Sequence, residues 1–204
     1  MSTYDGPRYE QTWKFLRFTF SGLIWVLLRP EINGRENVPA TGPVVLVSNH
    51  QSFFDIPVLG YAQDRTIRFM AKSELFGFRP FGWFIARGGA FPVRRDEADR
   101  EALRIVHDTA EGGGVVGIFI EGHRYAELAD AKAGAGRIAV VEDVQVVPVA
   151  LRGTRGVPRP GKRARVRFGQ PRTYELDGRR RADAYREVAD ELMEQIRALY
   201  EASA

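Results

Sequence analysis

"GPVVLVSNHQSFFD", residues 42–55, decides the fold. "GPVVLVS" (42–48) is a short apolar run opened by Gly-Pro, the pattern of a strand buried on both faces. It is followed at once by Asn49, His50 and Asp55, and residues 53–63 read as a helix. Outward from there the same alternation continues. Strands are predicted at 66–71 ("TIRFMA"), 115–120 ("VVGIFI") and 145–151 ("QVVPVAL"), and helices at 74–87, which contains Pro80 and Gly82, near 134–142 and at 182–202. "DEADREALRIVHDTAEGGG" (96–114) opens on acids and stops at three glycines, the ends of a surface helix. In "RARVRFG" (163–169), Arg163, Arg165 and Arg167 share one face of a strand and Ala164, Val166 and Phe168 the other. Strands separated by helices predict an α/β fold: a single domain, residues 31–204, with a mostly parallel central sheet flanked by helices. Residues 1–30 add an N-terminal interfacial amphipathic helix.

The 204 residues suffice for one domain with a sizeable core. There is no cysteine, which excludes disulfides, thiol nucleophiles and cysteine-ligated zinc. Three scattered histidines, His50, His107 and His123, offer no metal cluster, so neither metal nor cofactor is expected, and His107 reads as a surface residue. The net charge of +4 is unevenly placed: eleven Lys or Arg stand against Glu175 and Asp177 between Arg152 and Arg181, giving +9 there and −5 elsewhere. A basic segment on a mildly acidic body suggests an anionic partner such as phosphate, nucleic acid or an acidic membrane surface, with a solvated face as the plain alternative.

"WKFLRFTFSGLIWVLLRP" (13–30) is uncharged only from Phe18 to Leu28, eleven residues where a bilayer span needs about 20. Its acidic, polar start also does not read as a signal peptide. Trp13, Phe15, Phe18, Phe20 and Trp25, flanked by Lys14, Arg17 and Arg29, have the composition of a helix lying in a membrane interface. The alternative is a helix packed on the domain's own core.

Working groups of α/β domains gather at the carboxyl ends of strands, where the strand at 43–47 delivers His50 and the strand at 115–120 delivers Glu121. His50 and Asp55 lie about 140° apart on an ideal helix, so they meet only if His50 precedes the helix and Asp55 sits in its first turns. Asp55 could then accept the ring N–H of His50 and fix the tautomer, leaving the second nitrogen to act as a base. With no cysteine, and with Ser48 and Ser52 confined to the same short loop, the pair suits deprotonation of a substrate hydroxyl. A structural hydrogen bond is the alternative content of such a pair.

Four blocks in order sharpen this. "NHQSFFD" (49–55), "GWFIARGGAFPVRR" (82–95), "IFIEGHR" (118–124) and "VVPVAL" (146–151) resemble the four motifs of the glycerolipid acyltransferases, over roughly residues 43–151. "AKAGAGRIAV" (131–140) resembles the Lys-x-Gly segment that commonly follows the third. The resemblance implies an O-acyltransferase of phospholipid biosynthesis with His50 as base and Asp55 as its orienting partner. By that resemblance it would move a fatty acyl group from acyl-CoA or acyl-carrier protein to a lysophospholipid hydroxyl, that of 1-acyl-sn-glycerol-3-phosphate above others. Substrate binding falls to Glu121, Gly122 and Arg124 of the third block, Arg87 of the second, Asn49 of the first, and Lys72. Arg124 suits a phosphate because a guanidinium can bond two of its oxygens. The family's usual Pro and Thr of the third block are Ile120 and His123 here, and Tyr125 replaces a commonly small residue, which leaves another lipid, sugar or metabolite acceptor open.

The same resemblance gives the N-terminal helix and the basic segment a common purpose: peripheral attachment to an anionic membrane surface, at the cytoplasmic face of the cell membrane. Aromatic-rich "FGFRPFGWFIA" (76–86) can line an acyl groove or be plain core. No nucleic-acid partner is expected, since a nucleic-acid or other anionic-ligand module would explain the basic stretch but leave His50, Asp55, Glu121 and Arg124 without a task. A serine hydrolase is disfavoured because no Gly-x-Ser-x-Gly occurs.

Overall fold

The structure is a computed structural model, and it describes residues 6–93, 100–141, 144–156, 162–176, 178 and 180–203. Among these residues seven strands form one sheet: β1 (Glu31–Asn33), β2 (Val44–Ser48), β3 (Ile67–Lys72), β4 (Phe91–Val93), β5 (Val115–Phe119), β6 (Gln145–Arg152) and β7 (Arg165–Phe168). Their order is β1-β7-β6-β2-β5-β3-β4, and every pairing is parallel except β6 with β7. The helices are α1 (Gly6–Leu28), α2 (Asp55–Ala62), α3 (Arg79–Arg87), α4 (Arg100–Glu111), α5 (Ala133–Ala139) and α6 (Arg181–Glu201). No helix among the described residues is long and apolar enough to cross a membrane.

Alternation along the central strands builds two cores. Val45 and Val47 of β2 point to one face, with α4, α5 and α6; Val44 and Leu46 point to the other, with α1 and α2. Because both faces are covered, β2 is buried at every position and apolar at all but Ser48, and β6 is apolar and buried between its polar ends. Pro148 stands inside β6, an interior strand, where a missing N–H would normally break a ladder. Val146 and Arg172 exchange backbone bonds, and the Pro148 carbonyl accepts from Gly169 N–H, so Pro148 faces the edge where the chain loops out between β7 and Arg172.

The predicted helix over 74–87 divides into a 3-10 turn at Ser73–Phe76 and α3 from Arg79. Pro80 in the first turn of α3 forces the break, since the preceding chain cannot carry a helix into a proline. β1 and β4 carry no sequence signal, being three residues each and formed by pairing to β7 and β3. The start of the 96–114 helix and Arg159, Asp177 and Arg179 of the basic segment lie outside the described residues. Within that segment Arg165, Arg172 and Arg180 face Glu31, Glu191 and Asp183 across ion pairs, while Arg155, Arg163 and Arg181 are exposed.

α1 buries one stripe, Trp13, Ile24 and Leu28, against the second core and exposes Phe15, Phe18, Phe20, Leu23, Trp25 and Val26. Arg17 bonds Asp64 at 2.6 Å beyond the end of α2, and Arg35 faces the same carboxylate. The Arg17 hydrogen bond is the chief reason the Asp64 carboxyl is held below its ordinary range.

Candidate active site

The parallel register aligns the ends of β2 and β5, with Ser48 opposite Phe119. Two residues on, His50 comes level with Glu121. The bond from Ile120 N–H to the Ser48 carbonyl, 2.9 Å, continues the ladder beyond both strands.

His50 is held from four directions and is 6% exposed. Its backbone N–H donates to Glu121 Oε2 at 2.6 Å, and its carbonyl accepts from Tyr125 N–H at 2.9 Å. Its ring stacks on Phe119 with centroids 3.8 Å apart and planes 11° from parallel. Nδ1 lies 2.7 Å from Asp55 Oδ2. That oxygen also accepts the N–H groups of Gln51 at 2.7 Å and Ser52 at 2.8 Å. A carboxylate oxygen taking two backbone donors is an acceptor toward the ring as well, which assigns the proton to Nδ1 and the basic lone pair to Nε2. Asp55 opens α2, so its negative charge lies at the favourable end of the helix dipole. The sharp turn over 51–54, closed by Asp55 N–H on the Ser52 carbonyl at 3.3 Å, is the doubling back that the spacing requires.

The bed beneath the ring is built by packing. Phe119 stacks in turn near Phe69, centroids 6.0 Å apart, and Phe69 occupies the space above Gly117, where an added Cβ would stand 2.6 Å from its ring. Gly117 in β5 is thus the residue that lets Phe69 and Phe119 seat the histidine.

The remaining candidates divide into buried braces and exposed cations. The Asn49 amide is spent on β6, donating to the Leu151 carbonyl at 2.9 Å and accepting from Leu151 N–H at 2.8 Å, so it stitches β2 to β6 past the point where their ladder stops. Glu121, also buried, accepts from His50 N–H and, through Oε1, from Ala129 N–H at 2.8 Å. Burial pushes its carboxyl above the ordinary range, with the two backbone donors opposing and the Asp55 charge adding to the rise. Gly122 turns the chain at φ 70°, a left-handed conformation natural to glycine. Arg124 is exposed, its guanidinium 3.4 Å above the Phe53 ring, and Tyr125 N–H ties this loop to His50. Arg87 ends α3 with its guanidinium over Trp83 at 4.5 Å. Lys72, at the end of β3, pairs with Glu74 at 2.9 Å, and that contact with the Ser73 hydroxyl holds the Glu74 carboxyl down to about 2. His123 is exposed, edge-on to Tyr125 at 6.5 Å. His107 lies on the surface of α4 near Glu111. Sequence reasoning did not single out Phe119 or Phe53. The alternation of "VVGIF" places Phe119 on one face with Val115 and Gly117, and Phe53 stands inside the first block.

Such an assembly defines an α/β protein that holds a buried histidine–aspartate pair at the carboxyl edge of its sheet. The chain belongs to the acyltransferase family: the family model described as Acyltransferase matches residues 29–152, more than half of its length. It is 36% identical over 144 residues to a 1-acyl-sn-glycerol-3-phosphate acyltransferase of Chlamydomonas reinhardtii, covering 68% of this chain and 43% of that protein. It is 32% identical over 180 residues to the Streptococcus pneumoniae protein of the same name, covering 83% and 65%. The chain thus spans less than half of the algal relative and just under two thirds of the bacterial one. Its fold matches the crystal structure of the 1-acyl-sn-glycerophosphate acyltransferase PlsC from Thermotoga maritima with a TM-score of 0.68 at 22% identity, over 97% of this chain and 85% of that one.

Proposed function

We propose that the protein transfers a fatty acyl group from a thioester, of coenzyme A or acyl-carrier protein, to the free hydroxyl of 1-acyl-sn-glycerol-3-phosphate, giving phosphatidic acid. The observation that carries this reading is the buried His50–Asp55 contact of 2.7 Å, set one loop from Arg124. His50 Nε2 takes the acceptor's hydroxyl proton as the oxygen attacks the thioester carbonyl. The tetrahedral adduct expels the thiolate, which receives that proton from the imidazolium, so the ester and a free thiol are the products. Asp55 stabilises the imidazolium that forms between the two steps. Arg124, exposed and stacked on Phe53, is placed to take the acceptor's phosphate by paired charge-assisted bonds. Arg87 and Lys72 are cations at the ends of neighbouring elements that would add to its pull on an anionic headgroup. Glu121 and Asn49 act through the backbone they hold.

The aromatic surface supports lipid as the medium. Phe18, 86% exposed, and Trp25 on α1, with Phe78, Trp83 and Phe84 of the aromatic stretch 76–86, form apolar side chains that a water-facing protein has no use for. Inserted at headgroup depth, with the exposed Arg155, Arg163 and Arg181 facing anionic lipid, they would hold the protein peripherally at the cytoplasmic face of the membrane. The test is thiol release from acyl-CoA and from acyl-carrier protein against glycerol phosphate, lysophosphatidic acid and non-phosphorylated acceptors. Turnover is expected with lysophosphatidic acid and lost in His50→Ala. Equal turnover in His50→Ala sinks the mechanism, and preference for an acceptor without phosphate sinks the substrate.

A further inference from the structure

The last turns of α6 reach the loop that carries His50, although the family model ends at residue 152 and α6 begins at Arg181. Gln51, whose backbone N–H holds Asp55, donates its side-chain amide to the Tyr200 hydroxyl at 2.9 Å and lies 3.5 Å from the Ala126 carbonyl. Arg197 donates to the Ala129 carbonyl at 3.3 Å and stands 3.8 Å from Asp130. Ala129 is the residue whose own N–H holds Glu121. Arg186, three turns earlier and within about 20° of the same helix face, donates to the Ala131 carbonyl at 3.3 Å.

The geometry points to Tyr200 and Arg197 as positioning residues: the carboxyl-terminal end of α6 braces the two loops, 50–55 and 121–131, that fix His50 for acyl transfer. A brace must itself be fixed, and this one is. The Arg152 guanidinium lies 5.0 Å from the Tyr200 ring centre and donates to its carbonyl at 3.3 Å, tying the helix end to β6. Arg165 of β7 donates to the carbonyl of the buried Ser203 at 2.9 Å. Cations on the last carbonyls of a helix also suit its dipole, so the anchoring is favourable at both levels. In consequence the last turns of α6 are part of the active-site framework, three contacts removed from His50 along either path.

The inference rests on the acyl-transfer reading, and the experiment separates the two. Full-length Tyr200→Phe, Gln51→Leu, their double variant, Arg197→Met and the exposed control Glu194→Gln are compared by steady-state thiol release and thermal unfolding. Hydrogen–deuterium exchange of peptides over 48–56 and 121–132 is followed in parallel. Tyr200→Phe is expected to lower kcat about three- to tenfold, the effect of one hydrogen bond, with KM for donor and acceptor within about twofold. The double variant is expected to match the worse single variant, because both delete the same bond. Exchange over 48–56 rises in Tyr200→Phe, exchange over 121–132 rises in Arg197→Met, and Glu194→Gln behaves as wild type. Unchanged kcat, independent multiplication of the two losses, or unchanged exchange over 48–56 in Tyr200→Phe overturns the brace. A wild-type protein inert toward every donor and acceptor overturns acyl transfer instead, with exchange still deciding the brace.

Discussion

Asp55 places three N–H groups on a single oxygen, Oδ2, while its buried Oδ1 has no hydrogen-bond partner among the described residues. That division makes a telling substitution available. In Asp55→Asn the amide oxygen can keep all three donors, which preserves the tautomer, while the charge is lost and the NH₂ stands at the buried Oδ1 position without an acceptor. The expected result is a kcat lower by about 100-fold, part of the roughly 10²–10⁴ contributed by a positioned base, with stability lower by about 1–3 kcal/mol from the unpaired amide N–H groups. Wild-type kcat in Asp55→Asn would show that the carboxylate charge does not assist the histidine. The contact between His50 and Asp55 was legible in the sequence, because two polar residues five apart, directly after a buried strand, can meet only if the chain doubles back into a helix between them. What Asn49 and Glu121 touch was not. A polar side chain quoted from a motif does not reveal whether it faces a ligand or a neighbouring backbone, and here both are occupied by backbone.

At the scale of elements, the strands read from continuous apolar runs are β2, β5 and β6, all interior to the sheet, and their burial on both faces is the reason their patterns are unambiguous. The outermost strands β1 and β4 are three residues long and take their conformation from a partner distant in sequence, so no local pattern announces them. The crossing of α5 and α6 is a further feature of pairing rather than of either segment. An added Cβ at Gly136 would sit 2.8 Å from the Tyr185 carbonyl carbon and 3.1 Å from Ala189 N, both backbone atoms that cannot swing aside. Gly136→Ala should therefore part the helices, at a cost of about 1–3 kcal/mol, read as a drop of roughly 3–10 °C in melting temperature. A melting temperature at or above that of wild type would mean that the two helices are not packed this closely.

For the molecule as a whole, charge and aromatic surface make a single prediction about lipid. Ion pairs of Arg165, Arg172 and Arg180 consume part of the basic segment within the protein, so its attraction to a surface is weaker than the +9 of the sequence suggests. Co-sedimentation with vesicles containing anionic phospholipid is expected at low salt, falling steeply at about 0.5 M salt, where the screening length is only a few Å. The double variant Phe18→Asp, Trp25→Asp should abolish it at any salt, and binding that ignores both changes would refute attachment through these surfaces.

His50 is fixed at its N–H, its carbonyl, its ring edge and its ring face before any substrate arrives. In the proposed reaction the entropy of orienting His50 is thus lost once, when the chain folds, and not again in each turnover. Folding and chemistry draw on the same contacts, so a gain in loop flexibility here would slow the reaction even as it eased substrate entry.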